Sequence, residues 1–64
     1  MLSTMTRIGV IKQINAGTPF IYAISDTFNR AESIALNAWT KDQHSGNCYY
    51  VMTIPENALI GDCL

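Results

Sequence analysis

The chain has 64 residues, of which 48% are hydrophobic and only 14% are charged, and its formal net charge is −1. A chain of this length forms one domain, and its hydrophobic, charge-poor composition argues against disorder. The four cations are scattered along the chain and form no basic cluster of the kind that nucleic-acid binding requires. They are Arg7, Lys12, Arg30 and Lys41. We therefore expect a single small α+β domain over residues 1–64, apolar surface left exposed, and no direct nucleic-acid partner.

Targeting and redox signals are sparse. The N-terminal sequence MLSTMTR lacks the apolar core of a signal peptide, and no apolar run approaches the roughly 20 residues of a membrane helix. Two cysteines, Cys48 and Cys63, are too few for a disulfide framework. These features predict free thiols in a reducing cytoplasm and no membrane partner.

The first predicted strand covers residues 7–14, after a loose terminus at residues 1–6, because it is β-branched and roughly alternating. One face carries Ile8, Val10, Lys12 and Ile14, and the other carries Arg7, Gly9, Ile11 and Gln13. Lys12 interrupts the apolar face, which indicates an edge strand or a position near the sheet rim.

A turn and a second strand follow. Residues 15–19 contain Gly17, which accepts positive φ, and Pro19, which fixes φ and lacks an amide donor. Residues 20–25 are rich in strand formers. Two strands joined by a short loop that contains Gly predict an antiparallel hairpin.

The stretch SDTFNRAESIALNAW, residues 25–39, predicts one amphipathic helix. Asp26 or Thr27 is the candidate N-cap, since a side-chain oxygen there can accept from the first free backbone amides. Helical spacing places one apolar stripe at Phe28, Ala31, Ile34, Ala35, Ala38 and Trp39. The alanines allow a close approach to a sheet, with the larger side chains at the margins, and Leu36 falls on the polar side.

The last third of the chain predicts a polar loop at residues 41–47 and a third strand at residues 48–54, which Pro55 ends. Residues 58–64 are a candidate fourth strand. The predicted fold class is α+β: a three- or four-stranded antiparallel sheet with one α-helix packed on one face, in the order β-β-α-β.

Both faces of the second and third strands are apolar, whereas a sheet with one wet face alternates apolar with polar residues. In the second strand, strict alternation sets Phe20, Tyr22 and Ile24 against Ile21 and Ala23. In the third strand it sets Cys48, Tyr50, Met52 and Ile54 against Tyr49, Val51 and Thr53. Since one helix covers one face, the last ten residues, a second copy or another protein must cover the other.

Three tyrosines are the candidate partner-binding residues, since tyrosine brings a large contact area with a polar tip. They are Tyr22, Tyr49 and Tyr50, with Lys12 and Glu32 as charges at the rim. The alternative interpretation is that the tyrosines lie at the rim of a small core.

Constellations for catalysis and metal binding are missing from the sequence. His44 lies beside Asp42 and Ser45, but a catalytic triad needs groups that a fold orients, so a solvated loop is expected. Cys48 and Cys63 with His44 supply at most three zinc ligands, without motif spacing, whereas structural zinc takes four. We expect no catalytic residue, no metal, no cofactor and no enzymatic activity.

The run TFNRAESIA at residues 27–35 lies between a strand that ends in Tyr22-Ala23 and a returning strand at residues 49–53. This pattern resembles small phage-encoded host-takeover proteins, such as the RNA polymerase inhibitors of T7-like phages and compact anti-CRISPR proteins. The resemblance covers residues 20–54. It implies a protein that binds and blocks a larger bacterial complex in the host cytoplasm. The alternative is a homo-oligomeric structural or assembly subunit, or an antitoxin-like partner protein.

Overall fold

A computed structural model describes residues 6–43 and 46–64 of the chain. Three strands and one helix follow one another as β1 (Thr6–Gln13), β2 (Phe20–Ser25), α1 (Phe28–Asp42) and β3 (Cys48–Pro55). The strands form one antiparallel sheet in the order β2-β1-β3. The predicted α+β class and the β-β-α-β order are confirmed. No helix in the described ranges is long and apolar enough to cross a membrane.

The first strand is the centre of the sheet. β1 pairs with β2 on one side and with β3 on the other, so of the two predicted alternatives for Lys12 the edge strand is wrong. Lys12 lies next to the last residue of a central strand. The strand begins at Thr6 and stops before Ile14, which is exposed. Asn15 takes a φ of 51°, and the Gly17 amide donates to the Ile14 carbonyl at 2.8 Å. This tight turn ends the strand one residue earlier than predicted.

Thr27 is the residue that starts the helix. Its backbone is extended, and its side-chain oxygen accepts from the Arg30 amide at 3.2 Å. Asp26 instead forms an exposed ion pair with Arg7 at 3.2 Å. The helix continues to Asp42, beyond the predicted end at residue 39, because no Gly or Pro interrupts it and Lys41 suits the negative end of the helix dipole.

Small residues bring α1 close to the sheet. Ala31 packs with Ile8 and Val10 in a buried cluster on the helix side. The partly buried residues around this cluster are Ala23, Ile34, Ala35, Tyr49 and Val51. The outer members of the predicted stripe are not buried: Phe28 is 51% exposed and Trp39 is 45% exposed. By helical spacing both lie on one flank of the helix, whereas the alanines and Ile34 lie towards the strands.

A β-bulge interrupts the pairing of β2 with β1. Val10 faces Ala23 and Ile11 faces Ile21, so Tyr22 has no partner of its own on β1. An extra residue of this kind shifts the alternation of side chains along the strand. Ile21 therefore joins the cluster opposite the helix, whereas Ala23 packs on the helix side. The prediction that Ile21 and Ala23 share a face is wrong.

The C-terminal segment covers part of the face opposite α1. Ile11, Ile21 and Ile54 form a buried cluster there, and Ala58 packs against it. Beyond Ala58, the chain runs along the outer edge of β2: the Ile21 amide donates to the Asp62 carbonyl at 2.9 Å. Two further bonds there are Gly61 to Ile21 at 2.8 Å and Leu64 to Pro19 at 3.1 Å. Strand-type pairing is limited to an isolated bridge between Phe20 and Cys63, so this segment is not a full fourth strand.

Candidate functional site

The outer edge of β3 is open. β3 pairs only with β1, and no other backbone of the described residues runs along its outer side. Its eight residues, CYYVMTIP, contain no charged side chain. Natural edge strands usually carry lysine, proline or a bulge that prevents pairing with another chain, and β3 has only Pro55 at its end. The described residues therefore cover the start of the outer edge of β2, at Phe20 and Ile21, and leave the outer edge of β3 open.

An open groove lies between α1 and β3, with a volume of about 480 Å³. Its lining residues are Phe28, Glu32, Ala35, Tyr49, Tyr50 and Val51. At about 100° per residue, helical geometry places Phe28, Glu32 and Trp39 within a sector of about 40° on this flank. Phe28 thus lines the groove and Trp39 lies on the same flank of the helix, and both side chains are about half exposed.

The other side of the β3 edge is also apolar. Tyr50 is 40% exposed and Met52 is 37% exposed, and both lie on the face of β3 opposite α1. The open edge thus runs between apolar side chains above and below. We refer to this surface as the β3 surface; it comprises the outer edge of β3 with Phe28, Glu32, Trp39, Tyr50 and Met52.

A separate cluster forms where the end of α1 meets the sheet. The rings of Tyr22 and Tyr49 meet edge to face with centroids 5.5 Å apart. The Lys12 ammonium lies 5.5 Å from the first centroid and 5.3 Å from the second. Asp42 accepts a hydrogen bond from the Tyr49 hydroxyl at 2.9 Å and lies 3.7 Å from the Lys12 ammonium. The hydrogen bond with Tyr49, and the nearby Asp42 carboxylate, raise the pKa of Lys12 despite some desolvation.

The five predicted partner-binding residues therefore fall into two groups. Tyr22, Tyr49 and Lys12 form the cluster at the end of α1, where Lys12 pairs with Asp42, and Tyr49 also lines the groove. Tyr50 and Glu32 lie on the β3 surface. Within the described residues, the Glu32 carboxylate forms no hydrogen bond or ion pair.

Sequence reasoning missed Phe28, Trp39 and Met52 as candidates for binding. The apolar pattern places Phe28 and Trp39 in the buried stripe, although their helical spacing from Ala31 and Ala38 puts them at its margin. A second signal in the sequence for a binding surface is the run of eight uncharged residues that forms β3. It predicts a strand that does not resist pairing with another strand.

The described residues bring together no group of three His, Cys, Asp or Glu side chains that could hold a metal ion. Cys48 and Cys63 are exposed free thiols. His44 and Ser45, which enter the predicted loop, lie outside the described residues.

Comparison with known proteins gives no match: no family model, curated protein or solved structure matches this chain.

Proposed function

We propose that this chain is a non-enzymatic protein-binding domain and that the β3 surface is its interface. The observation that supports it best is an unpaired, uncharged edge strand with exposed apolar side chains on both of its sides. A partner that adds a strand to such an edge forms backbone hydrogen bonds along it, and its alternate side chains reach both flanks.

The shape of this surface favours a protein over a small molecule. Small-molecule sites bury most of their ligand in a concave pocket, with a few polar groups that fix its orientation. Here the groove opens along a strand, and the apolar side chains lie on both faces of the sheet. Phe28 and Trp39 on one side, with Tyr50 on the other, are the aromatic anchors that protein interfaces favour.

The proposal has two forms. In the first, which the resemblance to phage-encoded inhibitors implies, the domain binds and blocks a larger bacterial complex in the host cytoplasm. In the second, the partner is another copy of the chain, as in a homo-oligomeric or assembly subunit. Exposed free thiols at Cys48 and Cys63 are compatible with the cytoplasmic setting that we propose for both forms.

One capture experiment tests both forms. The tagged chain is the bait, and the lysate comes from bacterial cells that express an untagged copy, with nuclease added. Phe28→Glu places a carboxylate on the β3 surface, while Asn29→Glu adds the same charge one position along the helix, away from the groove. We expect the wild type and Asn29→Glu to retain the same partner protein and Phe28→Glu to lose it. Capture of nothing by the wild type, or equal capture by all three chains, would contradict the proposal.

A further inference from the structure

We infer that the occupant of the β3 surface is a second copy of this chain, paired antiparallel through β3 about a twofold axis at Val51. This inference rests on the proposed function, that the β3 surface is a protein interface, and names the partner there. The two three-stranded sheets then join into one sheet of six strands, in the order β2-β1-β3-β3-β1-β2, with both helices on one face.

The alternation of side chains restricts where the axis can lie. In an antiparallel pair, directly opposed residues point to the same face of the sheet. A twofold axis that leaves both helices on one face therefore passes through the position of one residue of β3, which then lies opposite its own copy, and not between two residues. Val51 is central in β3. An axis there sets Tyr50 opposite Met52 of the second copy, and Met52 opposite Tyr50 of the second copy. The exposed apolar residues on the underside of each β3 then cover one another.

The same axis suits the helices. Ala35, close to the middle of α1, and Val51 line the same groove, so the centres of the helix and the strand lie side by side. Phe28 and Trp39 lie on either side of that middle, and the twofold brings Phe28 towards Trp39 of the second copy. Neighbouring strands of a sheet lie about 4.8 Å apart. In the six-stranded sheet, this spacing puts two helices that lie over the β1 strands about 14 Å apart, and two helices that lie between β1 and β3 about 10 Å apart. Side chains as large as Phe and Trp bridge such a gap.

The lack of charge along β3 is compatible with a second copy. β3 contains no charged residue, so pairing with itself opposes no like charges along the strand. Helical spacing places Arg30 and Lys41 on the side of α1 away from the groove, and among the residues that line the groove Glu32 carries the charge. A strongly charged partner therefore finds little to recognise, whereas an apolar, nearly neutral strand is complementary to this surface.

Self-pairing through β3 also explains why the two edges of the sheet differ. The C-terminal segment covers the start of the outer edge of β2 with hydrogen bonds to Ile21 and Pro19, and nothing in the described residues covers β3. In the six-stranded sheet both outermost strands are β2, each with its own C-terminal segment. Pairing removes the open β3 edges, and the outer edges that remain are those of β2, each partly covered at Phe20 and Ile21, which limits further edge-to-edge growth.

Solution mass is the first test. Sedimentation equilibrium of the wild type is expected to give a concentration-dependent dimer with twice the 7.1 kDa of one chain. Phe28→Glu is expected to raise the dissociation constant about tenfold or more, because it buries a carboxylate among aromatic side chains. Asn29→Glu, with the same added charge in the same helical turn, is expected to change it less than about twofold. Circular dichroism checks that both variants fold. We expect both to fold, because an acidic side chain in the first turn stabilises a helix through its dipole.

Cross-linking tests the position of the axis. In a Cys48→Ser/Cys63→Ser background, a Tyr50→Cys chain is mixed with a Met52→Cys chain. Opposed Cβ atoms of an antiparallel pair lie about 4.5–5.5 Å apart, which suits a disulfide after small adjustments. Mild oxidation is expected to join the mixed chains in preference to either chain alone. An Ile60→Cys chain, exposed and distant from β3 in sequence, is the control for random collision.

The outcomes separate this inference from the function on which it rests. A wild type that stays monomeric overturns the second copy as partner. If Phe28→Glu then still abolishes capture of another protein, the proposed function stands without the dimer; if nothing is captured, both fail. A dimer that is insensitive to Phe28→Glu, or that gives no preferential cross-link between the mixed chains, also overturns the pairing through Val51.

Discussion

The ammonium of Lys12 lies 5.3 Å from the ring centroid of Tyr49, its register partner on β3. The hydroxyl of the same tyrosine donates to the Asp42 carboxylate at 2.9 Å, and Asp42 is the last residue of α1. One tyrosine thus ties the end of the helix to the sheet and holds a lysine over its ring. Lys12 occupies a strand position on a face that the sequence predicts to be apolar. An aromatic ring and a carboxylate stabilise its positive charge there.

Replacement of this lysine by an uncharged chain of similar size is the first prediction. Lys12→Met removes the contact with two tyrosine rings and the 3.7 Å ion pair with Asp42. Since the side chain is largely shielded from solvent, we expect a loss of about 1 kcal/mol in the free energy of unfolding near neutral pH. Urea denaturation measures it, with Lys41→Met on the exposed helix end as the control. An equal effect of the two variants would show that the cluster contributes nothing specific.

The pH dependence of that loss is the second prediction. The hydrogen bond with Tyr49 raises the pKa of Lys12 above its ordinary value of 10.5. The folded chain therefore holds this proton more tightly than the unfolded chain, so the contribution is complete below about pH 10.5 and declines as the pH passes the folded-state pKa. We expect the stability difference between the wild type and Lys12→Met to shrink in denaturation experiments at strongly alkaline pH. A difference that stays constant or grows there would refute this account.

The helix cap gives the third prediction. Thr27→Ala removes the acceptor of the Arg30 amide, which is expected to lower the free energy of unfolding by about 1 kcal/mol. Thr27→Ser retains the oxygen and is expected to recover most of that loss. Asp26→Ala, which removes only an exposed ion pair with Arg7, is expected to cost little. Thermal denaturation of the three variants tests the assignment, and a larger effect of Asp26→Ala than of Thr27→Ala would contradict it.

Gly9 gives the fourth prediction. A Cβ atom on this residue would lie 2.8 Å from Cγ2 of Ile54, one of the buried residues opposite the helix. Gly9→Ala therefore forces Ile54 to shift, at an expected cost of about 1–3 kcal/mol in the free energy of unfolding. In an Ile54→Ala background, the same substitution is expected to cost much less, because the clashing methyl group is gone. A double-mutant cycle measures this coupling, and additive losses would refute the steric explanation.

The C-terminal segment gives the fifth prediction. Deletion of residues 59–64 removes the Asp62 carbonyl that accepts from the Ile21 amide. We expect amide hydrogen exchange at Ile21 to accelerate markedly, while the amides between β1 and β3 stay protected. The full-length chain under the same conditions is the reference. Unchanged protection at Ile21 would mean that the segment does not cover the β2 edge in solution.

Local patterns in the sequence determined which elements form. Thr27 with the spacing of Ala31 and Ala38 predicts the helix and its buried side, because a cap and a periodicity of 3.6 depend on residues close together in the chain. The strand-forming runs and the turn at residues 15–19 predict the hairpin for the same reason. The number and order of the elements follow from these signals, and the structure confirms them.

Tertiary structure alone decided where the side chains of the site lie. The bulge at Tyr22 depends on how β2 pairs with β1, and this pairing moves Tyr22 next to Tyr49. Lys12 lies within ion-pair distance of Asp42 only because the end of α1 packs against the sheet. The route of the C-terminal segment makes β3 the open edge. These contacts join residues far apart in the chain, so no local pattern of propensity or spacing encodes them.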